Sequence, residues 1–261
     1  MNALWIAMIM GIMAGGSLML LFRYGGKSGL YVYLAVAIQA SNLQVLKQTF
    51  VSFWAYPIPA GSVVFASVFL CNDLLQEFYG KQAAVRGIWL GFASQLLFTV
   101  FVGLGVMYPP YPDGTDPMHQ AMVLLFTPAW RLFVASVVAY LVCQYFNTGL
   151  YFVLRRMLKG RYLGARNWIT ACSSNILDQV FFSFLAWKIL APVPVDGQTL
   201  LWTYMMGPFW VRLAVSQTHF LWMYLAKWLY LRMKRPCSTL PTLPPPLIPA
   251  CGEDASPPPM V

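Results

Sequence analysis

The chain has 261 residues, of which 59% are hydrophobic and only 10% charged. A soluble domain carries about 25% charged residues, so this composition excludes an ordinary soluble enzyme and points to a polytopic membrane protein. The formal net charge of +9 does not indicate nucleic-acid binding, because the basic residues fall in short loops between apolar runs, where they set orientation.

Seven segments are long enough to cross a hydrocarbon core, which takes about 20 residues. They lie near 3–22, 30–47, 59–78, 84–107, 129–153, 168–190 and 201–231. The second is short and carries Gln39, Asn42 and Gln44. Cations follow the first, third, fifth and seventh segments: Arg23 and Lys27; Lys81 and Arg86; Arg155, Arg156, Lys159, Arg161 and Arg166; Arg232, Lys234 and Arg235. The intervening loops carry Lys47, then Asp113 and Asp116, then Asp196, with Lys188 at the outer end of the sixth helix. The alternation predicts an N-terminus outside and a C-terminus in the cytoplasm.

The first helix has small residues at every fourth position, Ala3, Ala7, Gly11 and Gly15. That stripe suits close helix packing, within the bundle or against a second protein. The N-terminal run is longer than a signal-peptide core and has no basic leader, so it reads as a retained helix. Residues 236–261 hold nine prolines and read as a disordered cytoplasmic tail. The five cysteines have no metal spacing; Cys71, Cys143 and Cys172 fall inside predicted helices and read as small buried thiols. No G-x-x-x-x-G-K-[ST] loop is present, so the chain is not itself an ATPase.

Charges inside spans carry the functional signal. An ion in hydrocarbon costs about 2.5–3.5 kcal/mol even on the lenient insertion scale, so it faces a partner or a polar cavity. Asp73 and Glu77 share a face of the third segment at i, i+4. Asn175 and Asp178 share one on the sixth, with Asp178 near mid-membrane. Arg131 lies near the outer end of the fifth, Gln144 and Asn147 deeper, Asn42 toward the outer side of the second, and Arg212, Gln217 and His219 in the seventh. A cavity between helices gathers this set; internal charge neutralisation is the competing explanation. Enzyme chemistry fits poorly. Ser216 and His219 are at i, i+3 without a G-x-S-x-G element, and two histidines cannot make H-E-x-x-H.

The third segment, PAGSVVFASVFLCNDLLQEFYGKQAAVRGIW, resembles the hallmark of the queuosine precursor transporter family, also called the vitamin uptake transporter family. The matching positions are Gly61, Asp73, Glu77, Tyr79, Gly80, Ala84, Arg86, Ile88 and Trp89. Ser41–Asn42, Arg131 with Gln144, and SNILDQVFF (Asn175, Asp178, Phe181, Phe182) are similar to further family motifs in the same order. The resemblance covers roughly residues 30–231. Arg212 stands near a position where the family commonly carries Lys, and Thr218–His219 replaces a Thr-Pro pair.

The resemblance implies a six-helix core, residues 30–235, like the substrate-binding subunits of energy-coupling-factor vitamin transporters. Residues 1–29 then add an N-terminal helix. It implies import of 7-cyano-7-deazaguanine, 7-aminomethyl-7-deazaguanine or queuine across the bacterial inner membrane for tRNA modification, with no cofactor and no nucleic-acid partner. Asn42, Arg131, Gln144, Asn175, Asp178 and Arg212 are the expected substrate-binding residues, and Asp73 with Glu77 the gate or coupling site. An ATPase module or a homo-oligomer is a candidate partner. Another planar solute, a vitamin or nucleobase, and a non-transporting assembly subunit are the competing functions.

Overall fold

The computed structural model describes residues 3–50, 56–110, 116–127, 129–191 and 194–233. The Pro-rich tail, Lys234, Arg235, Asp113, Cys237 and Cys251 lie outside the described residues. The chain is an all-α membrane protein built from α1 (Ala3–Gln44), α2 (Ser62–Tyr79), α3 (Lys81–Met107), α4 (Pro117–Phe126), α5 (Ala129–Met157), α6 (Leu163–Phe184), α7 (Gly197–Thr199) and α8 (Gly207–Met233). Strands β1 (Gln48–Thr49) and β2 (Ile58–Pro59) pair antiparallel, Gln48 opposite Pro59. They tie the end of α1 to the start of α2.

Four stretches are long and apolar enough to cross a membrane: Trp5–Gln44, Lys81–Met107, Arg131–Met157 and Leu163–Ile189. The helices α2 and α8 fall short by composition. Asn72, Asp73, Gln76 and Glu77 crowd one, and Arg212, Ser216, Gln217 and His219 the other. Their polar residues turn inward: Asn72, Asp73, Gln76, Arg212, Ser216 and His219 are all buried. Helix α2 is the central element, with α1, α3, α5, α6 and α8 packed around it.

The first two predicted spans join in one element, α1, which breaks at Gly26 (φ 53, ψ −129). That φ is left-handed, which glycine adopts without steric cost. The two arms run antiparallel. Gly11 of the first arm faces Val63, and Phe22 packs on Phe78 and Tyr79. On the second arm, Tyr33 donates to Ser67 Oγ (2.6 Å), and Ser41 lies against Gly61. The expected loop between the spans is thus a single non-helical residue. Gly11 and Gly15 of the small-residue stripe pack inside the chain, where a Cβ on Gly15 would overlap the Trp222 ring.

Helix α4 occupies a stretch read from sequence as loop. Asp116 caps it, accepting from Met118 N (3.1 Å) and His119 N (2.9 Å). At ten residues it is too short to span. Two π-helical stretches, Leu185–Ile189 and Leu200–Met206, close α6 and open α8. Such turns recur at functional sites, because they redirect the side chains that follow.

Gly61 is required sterically: a Cβ there would overlap the Ser41 carbonyl oxygen. Gly61→Ala is expected to destabilise the protein by about 1–3 kcal/mol, read as a lower melting temperature in detergent. Gly103→Ala, on a face with open space, leaves it unchanged.

Candidate functional site

A cleft opens at one end of the bundle between α1, α2, α5, α6 and α8. Its polar lining includes Asn42, Ser136, Asp178, Gln179 and Arg212; Phe65, Phe182, Trp187 and Tyr204 supply the aromatic walls. The cleft encloses about 510 Å³ of space not filled by protein atoms, counting its open mouth.

Asp178 and Arg212 form an ion pair across α6 and α8, both buried. The Arg212 guanidinium also lies 4.9 Å from the centre of the Phe65 ring. Its Nε has no hydrogen-bond partner among the described residues. Asn42 Oδ1 accepts from Ser136 Oγ (2.8 Å), while its amide nitrogen is unpartnered. The two π-helical stretches bring Trp187 and Tyr204 together, stacked with ring centres 4.2 Å apart. Gln179 and Ser183 hold that arrangement by donating to the Tyr204 carbonyl.

The cleft therefore offers a carboxylate, a guanidinium, amides and stacked rings in one desolvated space. A carboxylate accepts two adjacent N–H groups and a guanidinium donates to a carbonyl or ring nitrogen. Together they match the edge of a guanine-like base, and aromatic faces suit its rings.

A second polar cluster lies at the opposite end. Asp73 is fully buried and accepts from Asn147 Nδ2 (2.9 Å) and Asn167 Nδ2 (2.5 Å). Asn147 Oδ1 accepts in turn from Ser174 Oγ (2.9 Å). Glu77 Oε2 accepts from Tyr151 OH (2.5 Å) and from Arg166 Nη2 (2.6 Å), with Arg155 3.9 Å away. Arg166 has no exposed surface and stacks over Tyr151, 4.8 Å from its ring centre. Phe22, Phe78 and Tyr230 pack beside this cluster, Phe78 and Tyr230 with centres 4.7 Å apart.

The expected binding residues separate on this geometry. Asn42, Asp178 and Arg212 line the cleft. Asn175 stands behind it, donating to Ser216 Oγ (2.8 Å), which itself donates to the Arg212 carbonyl (2.8 Å). Gln144 is buried on α5 with both amide atoms unpartnered among the described residues, and it does not line the cleft. Arg131 is half-buried near the start of α5 and likewise outside the lining. Asp73 and Glu77 fall together in the far cluster.

Arg166 belongs to this polar interior, although counting loop charges placed it in a cytoplasmic loop. Helix α6 begins at Leu163, five residues before the predicted span, which draws Arg166 and Asn167 inside. The available signal was the spacing Arg166, Thr170, Ser174 and Asn167, Ala171, Asn175, Asp178, a polar and small stripe at helical period. Trp187 and Tyr204 carried no such signal, because their approach depends on the two π turns.

A family model described as "Putative vitamin uptake transporter" matches residues 59–226. The chain is also 30% identical over 212 residues to the "Probable queuosine precursor transporter" of Bacillus subtilis (strain 168), covering 80% of this chain and 89% of that relative. No solved structure matches. The matched region contains Asp178, Gln179 and Arg212 of the cleft and Asp73, Glu77, Asn147, Arg166 and Asn167 of the far cluster, but not Ser41 or Asn42.

Proposed function

The chain belongs to the vitamin uptake transporter family, and from that premise we propose that it imports a queuosine precursor, a 7-deazaguanine base. It is a multi-pass membrane transporter rather than an enzyme. The observation that carries the substrate reading is the Asp178–Arg212 pair facing an aromatic-walled cleft. In this reading Asp178 accepts the N1–H and exocyclic amine of the base. Arg212 turns from Asp178 to the base carbonyl, and Trp187 or Phe182 stacks on the ring. Asn42 addresses the ring nitrogen or the 7-substituent. Asn175 positions Arg212 through Ser216, Gln144 lies deeper along the route, and Arg131 guards the mouth.

The proposed topology has seven spans, counting the two arms of α1, with the second arm and five later helices forming a core like energy-coupling-factor substrate-binding subunits. Arg23, Lys27, Lys81, Arg155, Arg156 and Lys159 all lie toward the end away from the cleft, since their helices reach Glu77 and Tyr79 there. Positive loops remain in the cytoplasm, so the cleft faces outward across the bacterial inner membrane. Asp73, Glu77 and Arg166 then close the cytoplasmic end as a gate.

Uptake of radiolabelled 7-cyano-7-deazaguanine into cells lacking their own importer tests the reading. The expressed chain is expected to raise uptake above the vector control. An excess of unlabelled 7-aminomethyl-7-deazaguanine or queuine should compete, and a vitamin or ordinary nucleobase should not; competition by those alone would reassign the substrate. Trp187→Ala is expected to weaken half-saturation about 5- to 100-fold, since stacking a base on an aromatic ring is worth about 1–3 kcal/mol.

A further inference from the structure

The two polar clusters are built on the same local sequence. Gly61 just before α2, and Asn72, Leu74, Gln76, Phe78 and Tyr79 on it, recur as Gly164, Asn175, Leu177, Gln179, Phe181 and Phe182 within α6, at one constant offset, with Ser67 answered by Thr170. Each block follows a helix carrying Gln-x-x-Asn: Gln39 and Asn42 on α1, Gln144 and Asn147 on α5. Both glycines sit where a Cβ would overlap a neighbour, the Ser41 carbonyl at Gly61 and the Phe220 ring at Gly164.

The copies run in opposite directions. Helix α2 starts at the cleft with Ser62 and Phe65, whereas α6 arrives there with Asp178 and Gln179. At the far end Glu77 of α2 meets Arg166 near the start of α6. The second arm of α1 ends at the cleft with Asn42, and α5 passes it early, at Ser136. An odd number of helices per copy inverts the second copy in the membrane. This is the architecture in which secondary transporters expose one site to the two sides alternately.

The chemistry repeats with the sequence. At the cleft end, Asn175 Oδ1 and Gln179 Oε1 are buried acceptors without a hydrogen-bond partner among the described residues. At the far end, their counterparts Asn72 Oδ1 and Gln76 Oε1 are in the same condition, as is Asn167 Oδ1. Each end adds one buried aspartate and one buried arginine: Asp178 with Arg212, and Asp73 near Arg166. A buried acceptor left unpaired costs about 1–3 kcal/mol. Three stand on facing helices at the far end, beside a carboxylate held only by amide hydrogens among the described residues, and a ligand entering there in another state would pair them.

We propose that Asn72, Asp73 and Gln76, with Arg166, form an inward-facing base site, the counterpart of the cleft, closed in this conformation and occupied by the substrate on its way to the cytoplasm. The inference rests on the importer reading above. Its acceptors suit the same edge, an N–H beside an exocyclic amine, and Arg166 stands in the role of Arg212.

The test uses the full chain with its five cysteines replaced by serine, single cysteines restored by Gln76→Cys or Gln179→Cys, and Val142→Cys as a lipid-facing control. A membrane-impermeant methanethiosulfonate is applied to intact cells or to inside-out vesicles. Gln179→Cys is expected to react from outside and Gln76→Cys from the cytoplasmic face, each at least about tenfold faster than the control, with 7-cyano-7-deazaguanine slowing both. If Gln76→Cys fails to give a monodisperse protein, Asn72→Cys replaces it. Reaction no faster than the control, or only from outside, overturns the proposal. Protection at Gln179→Cys alone overturns the inner base site and leaves the importer reading standing. Sided reaction without protection at either position contradicts the substrate reading and retains the two-site geometry for another ligand.

Discussion

Asp178→Ala is expected to reduce uptake of labelled 7-cyano-7-deazaguanine to the vector background and to lower the melting temperature of the purified protein. Both effects have one cause. Arg212 is buried and pairs with Asp178. Removing one partner of a buried pair typically costs about 3–5 kcal/mol, because the remaining charge stays desolvated. The two effects separate in other variants. Asp178→Asn keeps the side-chain volume and one acceptor but presents an NH2 group to the base amine, so uptake per folded molecule should still fall about 10- to 100-fold, the value of a charge-assisted hydrogen bond. Asp178→Leu combined with Arg212→Leu removes both charges. It should recover stability, since a hydrophobic pair often replaces a buried ion pair at no cost, while uptake stays at background. A purely structural pair predicts the reverse for the double variant, stability and uptake recovering together.

The second large effect is expected at Arg166. Its guanidinium holds Glu77 at 2.6 Å, with Asp73 on the preceding turn of the same helix. Arg166→Gln therefore leaves two carboxylates in the interior and should destabilise the protein by about 3–5 kcal/mol, read as a shift in thermal or denaturant unfolding in detergent. Glu77→Gln retains the acceptor for Tyr151 and should cost less. The double variant should be more stable than the sum of the two single losses, because neither charge is then left alone. Additive losses in that cycle would show that Arg166 and Glu77 do not act as a pair. As a gate, the pair also predicts that Glu77→Gln speeds the cytoplasmic labelling of Gln76→Cys.

Much of this arrangement could be read from residue order, for identifiable reasons. Hydropathy located the long apolar helices, because the bilayer imposes length and polarity on each segment separately. Asp73, Asp178, Arg131 and Arg212 stood out because ions in apolar runs are rare and costly. The pairing of Asp178 with Arg212 was not legible, since it depends on how α6 and α8 face each other. Helix α4 was missed because ten residues with a capping Asp116 resemble a loop when only spanning length is sought. The reversal at Gly26 was expected as a loop; in the structure the helical hydrogen bonding continues on both sides of one glycine. Arg166 was misassigned because a charge one turn inside a helix start cannot be told from a loop charge by counting. Gln144 and Arg131 were grouped with the cleft by depth and by the family resemblance, neither of which encodes which side chains line a cavity, and neither residue is in its lining.

The central claim is that this chain carries a 7-deazaguanine through a site containing Asp178. Its most direct test is uptake of labelled 7-cyano-7-deazaguanine into liposomes holding only the purified protein. The account predicts accumulation or equilibration faster than in empty liposomes, reduced about 10- to 100-fold by Asp178→Asn in protein that remains monodisperse. Uptake equal to that of empty liposomes, or uptake unchanged by Asp178→Asn, would contradict it.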